Sequence, residues 1–157
     1  MLHPHAPHSH RTYDLFISHP WCQHEEYNRL ETLLEKAADF KWRNHGVPDH
    51  DDELDPHKEY GRKALKSELE AQIKDVHCVI ILVAMYQTHP EWILEELSIA
   101  KRYGVPIIAV LPEEEDGSLP LAISCVVRET VRWDADTVVD AIRKHAVDGP
   151  SPLLFQR

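Results

Sequence analysis

The chain has 157 residues, 43% of them hydrophobic and 28% charged, which suits one soluble globular domain with a three-layer core. Its 27 acidic residues against 17 basic ones give a formal net charge of −10, which argues against a general binder of nucleic acid or anionic membranes. No apolar run reaches the roughly 20 residues that span a bilayer and no signal-peptide pattern opens the chain, so a cytoplasmic location is expected.

Residues 1–11 carry His3, His5, His8 and His10 among prolines. With no cysteine and no fold to preorganise them, they read as a disordered polar tail, not a metal site. Thr12 to Ser18 is predicted as the first strand. Pro20 forbids a further ladder bond and biases His19 to an extended backbone. Ser18, His19, Trp21 and Cys22 therefore sit in a loop at the carboxyl end of a central strand, where open α/β sheets place ligands. For His19 and Trp21 the competing reading is packing against the next helix. Cys22 has no base nearby in sequence and reads as a small buried residue. The three cysteines, Cys22, Cys78 and Cys125, are odd in number and far apart, as expected of free thiols in a reducing compartment.

Glu25 to Asp39 is predicted as an amphipathic helix with Tyr27, Leu30, Leu33, Leu34 and Ala37 inward and acids at its positive end. Phe40 to Arg43 forms a short alternating strand. Asn44 to Pro56 is then a polar loop whose acids lack the order of a calcium-binding loop. His57 to Ile73 is a second helix with Leu65, Leu69 and Ile73 inward; Lys58, Arg62 and Lys63 near its start offer a weak anion signal. Val76 to Ala84 is the most apolar stretch and the expected central strand.

The stretch from Met85 to Pro112 organises the rest. Thr88, Glu91 and Pro90 signal a helix start, and the helix is expected from about His89 to Tyr103, stopping at Gly104. Ile93, Leu97 and Ala100 face a sheet, while Trp92, Glu96, Ile99 and Tyr103 share an adjoining face. Two adjacent glutamates are ordinarily a solvated helix face, but Glu96 lies one turn from the Trp92 indole, which suits a partly desolvated carboxylate facing a developing cation. Val105 to Leu111 is a strand buried on both sides. Glu113 to Ser118 reads as a surface loop, Leu119 to Cys125 as one helical turn and Val127 to Trp133 as an edge strand. Asp134 caps a last helix through Val138, Val139, Ile142 and Ala146. Residues 148–157 read as a flexible tail, leaving 12–147 as the domain. The order implies a five-stranded parallel sheet of flavodoxin-like α/β topology.

That fold hosts unrelated functions. No acid ends the third strand as a phosphoacceptor needs, and no glycine-rich phosphate loop, G-x-G-x-x-G or P-loop lysine motif is present. Two boxes do carry a resemblance. Y-D-L-F-I-S-H at Tyr13–His19 resembles the first box of Toll/interleukin-1 receptor (TIR) domains, and W-I-L-E-E at Trp92–Glu96 resembles the W-x-x-x-E signature of TIR enzymes that cleave NAD. F-K-W-R-N-H-G-V-P-D-H-D and V-I-I-L-V-A-M-Y are most similar to the TIR-like bacterial proteins of the Thoeris anti-phage type.

The resemblance implies a flavodoxin-like TIR fold and an enzyme that breaks the nicotinamide–ribose bond of NAD+, with Glu96 catalytic. Phe16, Ser18, His19, Trp21, Tyr86 and Trp92 would line the substrate pocket. NAD+ enters as substrate, with no cofactor and no metal. The product would be an ADP-ribose-derived nucleotide, a cyclic isomer or a conjugate, that activates a separate effector. Self-association through TIR–TIR contacts is implied, with no nucleic-acid or membrane partner. Two alternatives stay open: a non-catalytic TIR scaffold in which Glu96 merely solvates a helix, and an enzyme like the nucleoside 2-deoxyribosyltransferases.

Overall fold

The computed structural model describes residues 11–18, 25–45, 59–86, 90–112 and 119–147. Strands β1 (Thr12–Ile17), β2 (Lys41–Asn44), β3 (Cys78–Leu82), β4 (Ile107–Val110) and β5 (Glu129–Val131) form one parallel sheet in the order β2-β1-β3-β4-β5. Helices α1 (Glu25–Glu35), α2 (Glu59–Ile73), α3 (Pro90–Arg102), the short α4 (Leu121–Ser124) and α5 (Ala135–His145) alternate with them. This is the flavodoxin-like α/β architecture expected of a TIR-like domain.

Strand position follows composition. Every residue of β3 and β4 is buried, because helices cover both faces of a central parallel strand. β2 lies at one edge and is mostly exposed. Each fully buried aliphatic side chain of β3 contributes about 1.5–3 kcal/mol through removal of apolar surface from water.

Several predicted strands are shorter in the structure, and the ladder explains why. β4 reaches no further than Val110 opposite Leu82, and β1 hands over to β3 at Ser18, whose N–H donates to Ile80 O at 2.8 Å. Past Leu82 the chain has no lateral strand partner among the described residues, and Val83–Met85 turns into a 3₁₀ segment. Val105 belongs to the helix end and not to β4. Its N–H donates to Ala100 O at 2.9 Å and Gly104 N–H to Lys101 O at 3.2 Å, closing α3 with paired C-terminal bonds around Gly104 at φ 69°. α1 likewise ends at Glu35, short of the predicted Asp39. Asp39 takes φ 55°, and its carbonyl accepts from Arg143 Nη2 at 2.7 Å. Asp134 caps α5 as predicted: its carboxylate accepts from the Thr137 N–H at 2.9 Å and the Thr137 hydroxyl at 2.7 Å, which holds its pKa below the ordinary value.

Alternation along β1 sorts its side chains between two layers. Tyr13 stacks on Phe40 with ring centroids 5.4 Å apart, and Arg143 of α5 lies over Phe40, so the Tyr13, Leu15, Ile17 face looks toward α1 and α5. Asp14, Phe16 and Ser18 look the other way, toward α2 and α3. Those two helices are tied where the Tyr103 hydroxyl donates to Glu70 at 2.5 Å and Arg102 pairs with the same carboxylate at 3.3 Å. Arg11, ahead of β1, lies over the Tyr13 ring and donates to the Val147 carbonyl.

Candidate functional site

The site grows from the layer between β1 and α3. α3 buries Ile93, Leu97 and Ala100 against the sheet, and the same periodicity carries Glu96 and Ile99 inside. Glu96 is only 4% exposed and Ser18 only 1%. Backbone pairing of Ser18 to Ile80 fixes where its hydroxyl points.

Burial is the dominant influence on Glu96: loss of water pushes its pKa up to about 8, and the nearby Ser18 hydroxyl draws it back only in part. Yet Ser18 Oγ and Glu96 Oε1 are both buried without a hydrogen bond of regular geometry. An unpaired buried polar atom costs about 1–3 kcal/mol, so the Ser18 hydroxyl and the Glu96 carboxyl form a locally destabilised pair at the end of β1. The neighbouring acid behaves differently. Glu95 is partly exposed and lies 3.8 Å from Lys66 on α2. Only half of the acidic pair is therefore a solvated face, and the alternative in which Glu96 merely solvates a helix conflicts with its burial.

The other predicted residues divide. Phe16 is 1% exposed and shares the β1 face with Ser18. Tyr86 and Trp92 are half-buried and pack against the hydrophobic core. His19, Trp21 and Cys22 lie outside the described residues, as do Thr88, the loop from 46 to 58 and the loop from Glu113 to Ser118. Of the basic residues at the α2 start, Lys58 also lies outside them and Lys63 is exposed. Cys78 is buried in β3, where desolvation drives its thiol pKa far upward, and Cys125 is an exposed free thiol. Among the described residues no cluster of His, Cys, Asp and Glu could hold a metal ion, and no helix is long and apolar enough to cross a membrane.

Sequence reasoning missed a polar cluster lower on the same β1 face. Asp14 accepts from Arg43 Nε at 2.8 Å and lies 3.0 Å from His45 Nε2. The Asp14 N–H donates to His77 Nδ1 at 2.9 Å, making that nitrogen an acceptor. Burial opposes ionisation of Asp14, but hydrogen bonds from His45 and Arg43 outweigh it and hold its pKa below the usual carboxylate range. The only local signal was an acid within an apolar strand; its partners come from β2 and from the entrance to β3.

The burial of Glu96 beside the end of β1 is the geometry on which the comparisons bear. No curated protein matches the chain. The family model described as "Thoeris protein ThsB, TIR-like domain" matches residues 16–116, a span that contains Phe16, Ser18, Trp92 and Glu96. That span is well over half of the chain, and the protein belongs to the Thoeris ThsB family of TIR-like domains.

Proposed function

We propose that this protein cleaves the bond between nicotinamide and ribose in NAD+ and transfers the ADP-ribosyl group to an acceptor. The product is a signalling nucleotide that activates a separate effector in anti-phage defence. The observation that carries the reading is Glu96: a carboxyl almost wholly removed from water, with one oxygen unpartnered, on the W-x-x-x-E helix of a TIR-like domain.

The chemistry follows from that environment. With a pKa of about 8, Glu96 is mostly protonated in the resting protein near neutral pH. A substrate bearing a cationic nicotinamide ring favours the ionised form, since an opposite charge close by in a low dielectric lowers a carboxyl pKa. When the C1′–N bond breaks, its electron pair leaves with neutral nicotinamide and positive charge moves onto the ribose. The Glu96 carboxylate then faces an oxocarbenium-like sugar, which it stabilises more than the ground state. The Ser18 hydroxyl donates to the carboxylate once it is charged. Water, or a hydroxyl or amine of an acceptor, attacks C1′ and loses its proton to complete the transfer. Tyr86 and Trp92 supply apolar surface and rings for the nucleotide, backed from the core by Phe16 and joined by His19 and Trp21. Assembly through TIR–TIR contacts completes the pocket.

Incubating concentrated protein with NAD+ and following free nicotinamide and ADP-ribosyl products by chromatography and mass spectrometry tests the reading. Stoichiometric nicotinamide release with a new ADP-ribose-derived species is expected. Release from deoxynucleosides but not from NAD+ would favour the deoxyribosyltransferase alternative.

A further inference from the structure

On the side of the sheet opposite Glu96, α1 and the connection from β5 to α5 border an open groove of about 570 Å3. That lies within the range of small-molecule sites. One stripe of α1 lines it, with Asn28, Arg29, Thr32 and Leu33, continued by Lys36 just past the helix end, and Trp133 forms the facing wall. The lining is mostly apolar carbon with polar groups at chosen points. Arg29 lies over the Trp133 ring, 4.9 Å from its centroid, and pairs with Glu26 at 3.2 Å, so ring and guanidinium are held as one platform. The Thr32 hydroxyl is turned back to the Asn28 carbonyl at 3.0 Å. The Asn28 carboxamide and the Lys36 ammonium are exposed and have no partner among the described residues.

We propose that this groove is a second ligand site, taking a mononucleotide with its base against Trp133 and Leu33 and its phosphate at Lys36. Charge and the order of the lining groups argue for that occupant. Glu25 lines the other end, so the groove is acidic at one end and cationic at the other within a chain of net charge −10. An anion at Lys36, a planar ring near Trp133 and hydrogen-bond donors toward Asn28 and Glu25 match the groove in order. A ligand here is separated from the Glu96 chemistry by the full thickness of the sheet, and Trp133 lies beyond the matched residues 16–116.

Calorimetric titration with AMP, adenosine and inorganic phosphate tests the assignment on wild type, Lys36→Glu, Trp133→Leu and Glu96→Gln. Saturable AMP binding is expected in wild type and in Glu96→Gln, with adenosine and phosphate each weaker. Lys36→Glu should weaken AMP at least about tenfold, the usual loss with a charge-assisted contact, while nicotinamide release from NAD+ is unchanged. Lys36 is exposed, so that variant keeps the test valid should Trp133→Leu fail to fold. Three results would overturn the proposal: AMP binding lost in Glu96→Gln but kept in Lys36→Glu; no binding up to about 10 mM AMP; or a groove variant that changes only the oligomeric state, which would make the groove an interface between copies.

Discussion

The Ser18 hydroxyl lies within reach of the Glu96 carboxyl across the β1–α3 layer, yet Ser18 Oγ and Glu96 Oε1 both remain buried with no completed hydrogen bond. Ser18 is the one side-chain donor that draws the Glu96 pKa down against the effect of burial. Ser18→Ala should therefore raise that pKa further and slow NAD+ cleavage at neutral pH by about tenfold, the effect of one hydrogen bond to a charged group. The pH–rate profile of the variant checks this; a limb at the wild-type position would separate Ser18 from the acid.

Substrate charge gives a second expectation. kcat/KM reports the free enzyme, so it should rise with pH through about 8, the value burial sets for Glu96. kcat reports the bound complex, where the cationic ring favours the carboxylate, and its limb should lie at lower pH. Coincident limbs in the two profiles would contradict ionisation on substrate binding.

Stability should carry the same signature in the absence of substrate. A carboxyl whose folded pKa is raised contributes stability that is complete below its ordinary value of 4.5 and is lost as pH rises through about 8. A shift of that size corresponds to about 5 kcal/mol of folded-state penalty on the alkaline side. Glu96→Gln should thus match wild type in melting temperature near pH 4.5 and exceed it increasingly toward pH 9. A gap independent of pH would show that the carboxyl is solvated.

Asp14 should show the opposite trend. Its folded pKa is lowered, so its contribution is present above the ordinary value of 3.8 and disappears as pH falls through the folded value. Asp14→Asn should cost about 1–3 kcal/mol at neutral pH, from the charge-assisted bonds to Arg43 and His45, and nearly nothing in strong acid. Denaturant melts at two pH values decide it.

Gly104 offers a purely conformational test. A Cβ there would meet nothing within 4 Å, so the cost of Gly104→Ala comes from φ 69° alone, about 1–2 kcal/mol. Gly104→Asn should cost less. Equal losses for both would point to packing instead.

Elements with local causes were legible in the sequence. The β-branched run of β3, the Asp134 cap and the Gly104 stop each rest on residues a few positions apart, and each lies where the pattern puts it. The position of Glu96 one turn from Trp92 was legible for the same reason, but periodicity put it on a face adjoining the inner stripe, and its near-complete burial comes from the packing of α3 against the sheet. Strand ends were less so, because Val83 and Val105 leave the ladder where neighbouring strands run out, and neighbours are set by the order of the sheet. The Asp14, Arg43, His45, His77 cluster and the Arg29–Trp133 platform were invisible on the same ground: each joins residues from elements distant in sequence.

The most direct test of the account is the rate of nicotinamide release from NAD+ by wild type and Glu96→Gln at matched concentration, both shown to be folded. Removing a charge aimed at a developing cation should lower the rate about 100- to 1000-fold with the fold intact. A variant rate within about threefold of wild type, smaller than the effect of even one ordinary hydrogen bond, would contradict the assignment of Glu96.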